Sequence, residues 1–147
     1  MPRCCYQTPL RSPFKRGRCL IPASGYFEWQ PTPNGKQPYY ISAADGSVLS
    51  MAGLLEQWTD IETGTRVRSC TIIVTTANAL TRAIHDRMPV LIEPKDFGPW
   101  LSGEAGTELL GPAPDDYLRL WPVSKSVNRT GNVDDPTLIE EISLGAV

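Results

Sequence analysis

The chain has 147 residues, 41% of them hydrophobic and 20% charged, with a formal net charge of −2. This is the size and balance of one ordinary domain able to bury its own core, and it excludes a uniformly basic nucleic-acid binder. No apolar run approaches the roughly 18 residues of a membrane span. The start, "MPRCCYQTPLRSPFKRGR", lacks the apolar core of a signal peptide, so a cytoplasmic location is the expectation. Charge is unevenly placed. Residues 1–36 carry six basic residues against one acid, Glu28, and the remainder carries eight basic against fifteen acidic. The basic end is either a solvated loop or a phosphate-facing patch containing Arg11, Lys15, Arg16 and Arg18.

In chain order, "CLIPASGYFEWQ" (19–30) reads as a strand with an irregularity between Pro22 and Gly25. "PTPNGKQ" holds an Asn34-Gly35 pair that favours a tight hairpin, and "PYYISA" is the returning strand. "VLSMAGLLEQW" (48–58) reads as a long strand. "VRSCTIIVTT" (67–76) is rich in β-branched residues and predicts a central strand. In "ANALTRAIH" (77–85) the apolar spacing changes to that of a helix, with Thr75 or Thr76 as its N-cap. "RMPVLI" returns to strand, "PKDFGPWLSG" and "GTELLG" predict short helices, and "YLRLWPVS" a late strand. The tail beyond Asn128 is polar, with Leu138, Ile139 and Ile142 available to pack. The fold class expected is α+β, mostly strand with short helices.

The cysteines are Cys4, Cys5, Cys19 and Cys70, and the one histidine is His85. They form no C-x-x-C pair and no His cluster, which argues against a zinc site and against any bound metal. Without a secretory signal, disulfides are not expected, and Cys19 and Cys70 read as small core residues. No cofactor motif is present.

Two residues stand out for chemistry. On a strand, side chains alternate, so Phe27 and Trp29 share one face while Tyr26, Glu28 and Gln30 share the other. Glu28 is then either an ordinary exposed strand glutamate or a carboxylate at a groove edge. His85 stands where a helix gives way to a strand. It either caps the helix end or shuttles protons near neutral pH. Asp86 can orient it, and Arg87 can pair with Asp86 or fork onto a phosphate. No residue lies in a nucleophile elbow.

Together "RCLIPASGYFEW" and "HDRMPV", with "PLRSPFKRGR", "TTAN" and "WPVSKSVN" around them, resemble the SOS-response-associated peptidase family of abasic-site processing proteins. The likeness runs from about Pro9 to about Ile142. It implies a curved, barrel-like, mainly antiparallel sheet with a basic groove. It also implies recognition of abasic sites in single-stranded DNA, where an N-terminal cysteine closes a thiazolidine ring on the sugar aldehyde and leaves a protective crosslink. The resemblance places acid/base roles on Glu28 and His85, DNA contact on Arg87, and weaker roles in lining the site on Trp29 and Thr75. Arg18 joins the DNA-facing arginines, and the family name adds a peptidase or lyase activity. The departure lies at the start. Residue 2 is Pro2, and Cys4 and Cys5 are internal, with only an amide nitrogen beside the thiol. The reading that follows is an atypical segment over 1–8, the C-terminal two-thirds of the family domain over 9–142, and a tail over 143–147. Such a chain lacks the N-terminal part of its sheet. It is expected not to crosslink, and to self-associate or be completed by another segment. Two other readings remain: a non-covalent single-strand DNA binder, and an acid/base peptidase using Glu28 and His85.

Overall fold

The computed structural model describes residues 11–129, Gly131 and residues 135–144. The atypical segment over 1–8, with Cys4 and Cys5, and Pro9 at the start of the likeness lie outside the described residues, as does the end of the tail.

A short helix α1 (Arg11–Arg16) leads into strand β1 (Arg18–Ala23). The apolar run 19–30 then breaks at Ser24 and Gly25 and resumes as β2 (Tyr26–Thr32). The two halves join different sheets. In the first, β1 pairs antiparallel with β4 (Leu49–Thr59), which pairs with β5 (Arg66–Ile72). In the second, β2 pairs with β3 (Gly35–Ala43), which pairs with β8 (Leu118–Pro122). A two-stranded ribbon, β6 (Val74–Thr76) with β7 (Arg87–Pro89), completes the set. All the pairing is antiparallel. The sheets are small, and among the described residues they do not close into a barrel.

The irregularity at Pro22–Gly25 is therefore a change of sheet. Its cause is steric. A Cβ on Gly25 would lie 2.5 Å from the Ile41 carbonyl oxygen and against the ring of Tyr40. Only glycine lets the chain cross this closely over β3. The Tyr40 hydroxyl donates to Ser24 Oγ at 3.2 Å and fixes the crossing from the other side.

The hairpin forms as expected but one residue earlier. Thr32 pairs with Gly35, Pro33 and Asn34 make the turn, and Gly35 takes φ +104°. After a 3₁₀ turn at Pro94–Asp96, α2 (Phe97–Ser102) stops at Gly103, whose left-handed φ of 83° is the usual helix ending. The tail returns along the second sheet through a bridge between Val123 and Glu141, and Ile142 N donates to the Pro122 carbonyl at 3.0 Å.

Three expectations need correction. Strand β5 is an edge, not a centre: every residue in it except Val67 is exposed. Its β-branched composition fits a pleated surface in general and does not specify the middle of a sheet. With it, Cys70 is exposed and Cys19 half-buried, both free, so neither belongs to the core; partial burial pushes the Cys19 thiol up. The helix expected over 77–85 is only a 3₁₀ turn, Thr81–Ala83, and Thr75 and Thr76 lie in β6. Thr76 pairs with Arg87, and Ala77 N donates to the Asp86 carbonyl at 2.9 Å. That closure leaves no length for a longer helix.

The core has two parts. Ile41, Leu49, Met51, Met88 and Leu118 pack in one, and Ala52, Val90, Ile92 and Trp100 in the other. β4 serves both with its first half, whereas Leu55 to Thr59 emerge into solvent. The change Gly25→Ala is expected to destabilise the protein by about 1–3 kcal/mol, as overpacking does. A urea titration checks this through a lowered midpoint at unchanged slope.

Candidate nucleic-acid interface

His85 is positioned by a buried asparagine. Asn78 Oδ1 accepts from Thr81 N at 2.9 Å and Thr81 Oγ1 at 2.8 Å. Its amide donates to the carbonyls of Ala113 at 3.1 Å and Pro114 at 3.2 Å. His85 N then donates to the Thr81 carbonyl at 3.0 Å. The turn is tied at both ends, and the imidazole projects from it with its side chain 39% exposed.

His85 Nδ1 lies 3.1 Å from Arg87 N and 3.1 Å from Asp86 Oδ1. One nitrogen cannot accept from an amide and donate to a carboxylate at once. In neutral imidazole Nδ1 accepts from the Arg87 amide and the proton sits on Nε2. In imidazolium Nδ1–H donates to Asp86. Either way Nε2 carries a proton and is the nitrogen left to exchange one. The Arg87 guanidinium is exposed and only 3.9 Å from Asp86, a long contact that leaves most of its donors to solvent.

The face alternation on β2 is as the sequence implies. On the outer face Phe27 stacks near Tyr40, with centroids 5.2 Å apart, and Tyr40 against Trp121 at 5.3 Å. Trp29 joins them, its indole N–H donating to Asn128 Oδ1 at 2.9 Å. Tyr26, Glu28 and Gln30 occupy the inner face, with Ile41 and Tyr39 opposite Tyr26 and Glu28. Glu28 is half-buried, and its Oε1 accepts from Trp29 N at 3.0 Å. Gln30 spans the gap to the histidine turn: its amide donates to the Ala83 carbonyl at 2.9 Å, and its Oε1 accepts from the Tyr39 hydroxyl at 3.2 Å. The inner face of β2 is thus tethered two residues from His85. Thr75, half-buried on β6, pairs with Met88 beside that turn.

Arg18 sits elsewhere. Its guanidinium donates to the carbonyls of Phe14 at 2.7 Å, Trp100 at 3.3 Å, and Ala105. It also lies over the rings of Phe14 and Trp100, 4.2 and 4.7 Å from their centroids. These contacts clasp α1, β1 and α2 together, and the planar fork suits them.

Sequence reasoning missed Gln30, Tyr39 and Asn78. The signal for Asn78 was present in Asn-x-x-Thr, the spacing of a side chain that closes its own turn. Gln30 gave no signal beyond sharing a face with Glu28. Among the described residues no group of histidine, cysteine and acidic side chains is placed to hold a metal. No helix there is long and apolar enough to cross a membrane.

The chain resembles known proteins along most of its length. The family model described as "SOS response associated peptidase (SRAP)" matches residues 6–130. The abasic site processing protein YoqW of Bacillus subtilis is 36% identical over 136 residues, covering 88% of this chain and 60% of YoqW. The abasic site processing protein HMCES of Xenopus tropicalis is 33% identical over 140 residues, covering 81% of this chain and 42% of HMCES. A crystal structure of a Bacteroides thetaiotaomicron protein superposes with TM-score 0.84 at 30% identity, covering 94% of this chain and 62% of that one. The chain therefore spans about three-fifths or less of the length of these relatives. On this match, with the paired motifs folded onto facing elements, the chain belongs to the SOS response associated peptidase family.

Proposed function

We propose that this chain forms the lesion-facing wall of an abasic-site processing protein acting on single-stranded DNA in the response to DNA damage. The observation that carries the reading is the Gln30–Ala83 hydrogen bond, which ties the face bearing Glu28 to the turn bearing His85. Family membership supplies the class of substrate.

In this reading the sugar aldehyde of the lesion lies between the inner face of β2 and the His85 turn. His85 Nε2–H gives or takes the proton at the sugar oxygens, and Nδ1 moves between the Arg87 amide and Asp86 as the ring changes charge. Glu28 handles the proton of the attacking group. Arg87 points its fork at a backbone phosphate. Thr75 lines one end of the site, Trp29 anchors β2 from the outer face through Asn128 rather than lining it, and Arg18 acts as a clasp within the fold. Cys19 is half-buried with its thiol pushed up, and Cys70 lies on the far edge strand, so neither suits the nucleophile. With Cys4 and Cys5 internal, each bearing only an amide nitrogen beside its thiol, the reading makes this chain alone inactive for crosslinking.

Fluorescence anisotropy with matched oligonucleotides, intact and abasic, tests the reading. Tighter binding of the abasic strand is expected, weakening steeply with salt. Arg87→Ala should lower the slope of log K against log salt by about 0.7, the value of one single-strand phosphate contact. Arg18→Lys should leave that slope unchanged and cost about 2 kcal/mol of stability through lost carbonyl contacts. Equal affinity for the two strands would remove the lesion reading, and a covalent adduct with this chain alone would remove the claim that it lacks the nucleophile.

We further infer that the chain taken alone self-associates. Leu55, Ile72 and Val74 are exposed around β5, whose outer edge is unpaired among the described residues, and Trp58 is exposed nearby. Sedimentation is expected to show a dimer or larger species that Ile72→Lys shifts to monomer. A wild-type monomer at high concentration would contradict this.

A further inference from the structure

Among the described residues one buried side-chain polar atom lacks a hydrogen-bond partner, the hydroxyl oxygen of Tyr26. Leaving such a group unmade costs about 1–3 kcal/mol, so it calls for an explanation. The ring packs beside the cluster of Ile41, Leu49 and Met88, which accounts for the side chain but not for its oxygen. A phenylalanine would pack as well. Tyr26 stands two residues before Glu28 on the same face of β2. The phenol is held well above its ordinary range, first by burial and then by the negative charge of Glu28.

Glu28 is held on the other side by a weak place in the sheet. Trp29 pairs with Pro38, and the Pro38 carbonyl accepts from Val123 N at 3.0 Å, so the Pro38 peptide groups face β8. In an antiparallel pair the opposite residue then turns its own peptide groups away from β3. Among the described residues β2 is an edge strand, so the Trp29 N–H points out of the sheet, and the Glu28 carboxylate curls back to cover it. An edge amide of this kind is what an incoming phosphate oxygen or an added strand would take.

We propose that Tyr26 is a positioning residue for Glu28: when a ligand takes the Trp29 amide, the displaced carboxylate turns inward and accepts the Tyr26 O–H. Glu28 thus has two resting places. The orphan hydroxyl is the vacant one, and it aims the carboxylate into the site at the moment of binding. The titratable groups on the elements around it are Tyr39 on β3 and, across the Gln30–Ala83 bond, His85, Asp86 and Arg87. None of these is removed by the change from tyrosine to phenylalanine. The inference deepens the role given to Glu28 above.

The test follows the Glu28 carboxyl carbon by NMR in protein labelled at glutamate, assigned by its loss in Glu28→Gln. Free wild type and free Tyr26→Phe should titrate alike, and Tyr26→Phe should be no less stable. Saturated with abasic-site oligonucleotide, Tyr26→Phe should titrate at least about half a pH unit higher than wild type, because a donor to the carboxylate is lost. Equal bound midpoints would overturn the proposal. If the oligonucleotide does not bind, the functional reading fails separately, and Trp29→Pro supplies the trigger by removing the amide itself at an edge position that tolerates proline. There Glu28 should titrate lower with Tyr26 than in Trp29→Pro/Tyr26→Phe. No difference between those two, with or without oligonucleotide, overturns the proposal; should Trp29→Pro fail to fold, a Tyr26→Phe protein less stable than wild type overturns it by showing that the hydroxyl already has a partner.

Discussion

The position of Glu28 depends on the missing side chain at residue 25. The chain leaves the first sheet at Ala23 and must enter the second by passing directly over Tyr40 and Ile41. Any Cβ at Gly25 would meet the Ile41 carbonyl and the Tyr40 ring. Because the crossing is tight, β2 begins at once at Tyr26, and its register against β3 fixes which side chains face inward. A looser crossing would allow a slip of one residue, which turns Glu28 outward and Phe27 inward. The aromatic run around the glutamate is the other half of this constraint. Phe27, Tyr40 and Trp121 stack on the outer face, and the indole of Trp29 is tied to Asn128. Their packing holds the register that keeps Glu28 on the inner face.

The second anchor is polar. Asn78, buried and fully engaged, closes the turn that ends in His85, and Gln30 joins that turn to β2. The site is therefore built from three short pieces of chain held by side-chain bonds to carbonyls. Such bonds specify direction more than they add stability, since each contributes a net of about 1 kcal/mol. The turn carries an imidazole and an exposed guanidinium, and the strand tethered to it carries a carboxylate, each lightly engaged. That combination suits groups that must change partners during a reaction.

How much of this could be read from the sequence follows the same division. Patterns of period two were legible. The faces of β2, the hairpin after it and the late strand β8 all follow from alternation and turn residues. The helix stop at Gly103 followed from glycine chemistry. The motifs around Glu28 and His85 identified the family because they are long and ordered. Features set by distant parts of the chain were not legible. β5 has the composition of an interior strand, and only the sheet order makes it an edge. The helical spacing over 77–85 was overridden by the pairing of Thr76 with Arg87. Arg18, basic and beside other basic residues, looked like a phosphate contact until its three carbonyl partners and two aromatic rings were in view. The tether from Gln30 to Ala83 joins residues 53 positions apart and left no local mark.

In the function proposed above, the inner face of β2 and the His85 turn form one surface that meets an abasic site. The most direct measurement of this is a two-dimensional NMR titration with an abasic single strand and with its intact counterpart, following the His85 ring protons and the Gln30 side-chain amide together. Both signals should move along one saturation curve with the abasic strand, and move less with the intact one. Shifts confined to the basic residues of β5, or signals from His85 and Gln30 that respond at different concentrations, would contradict it.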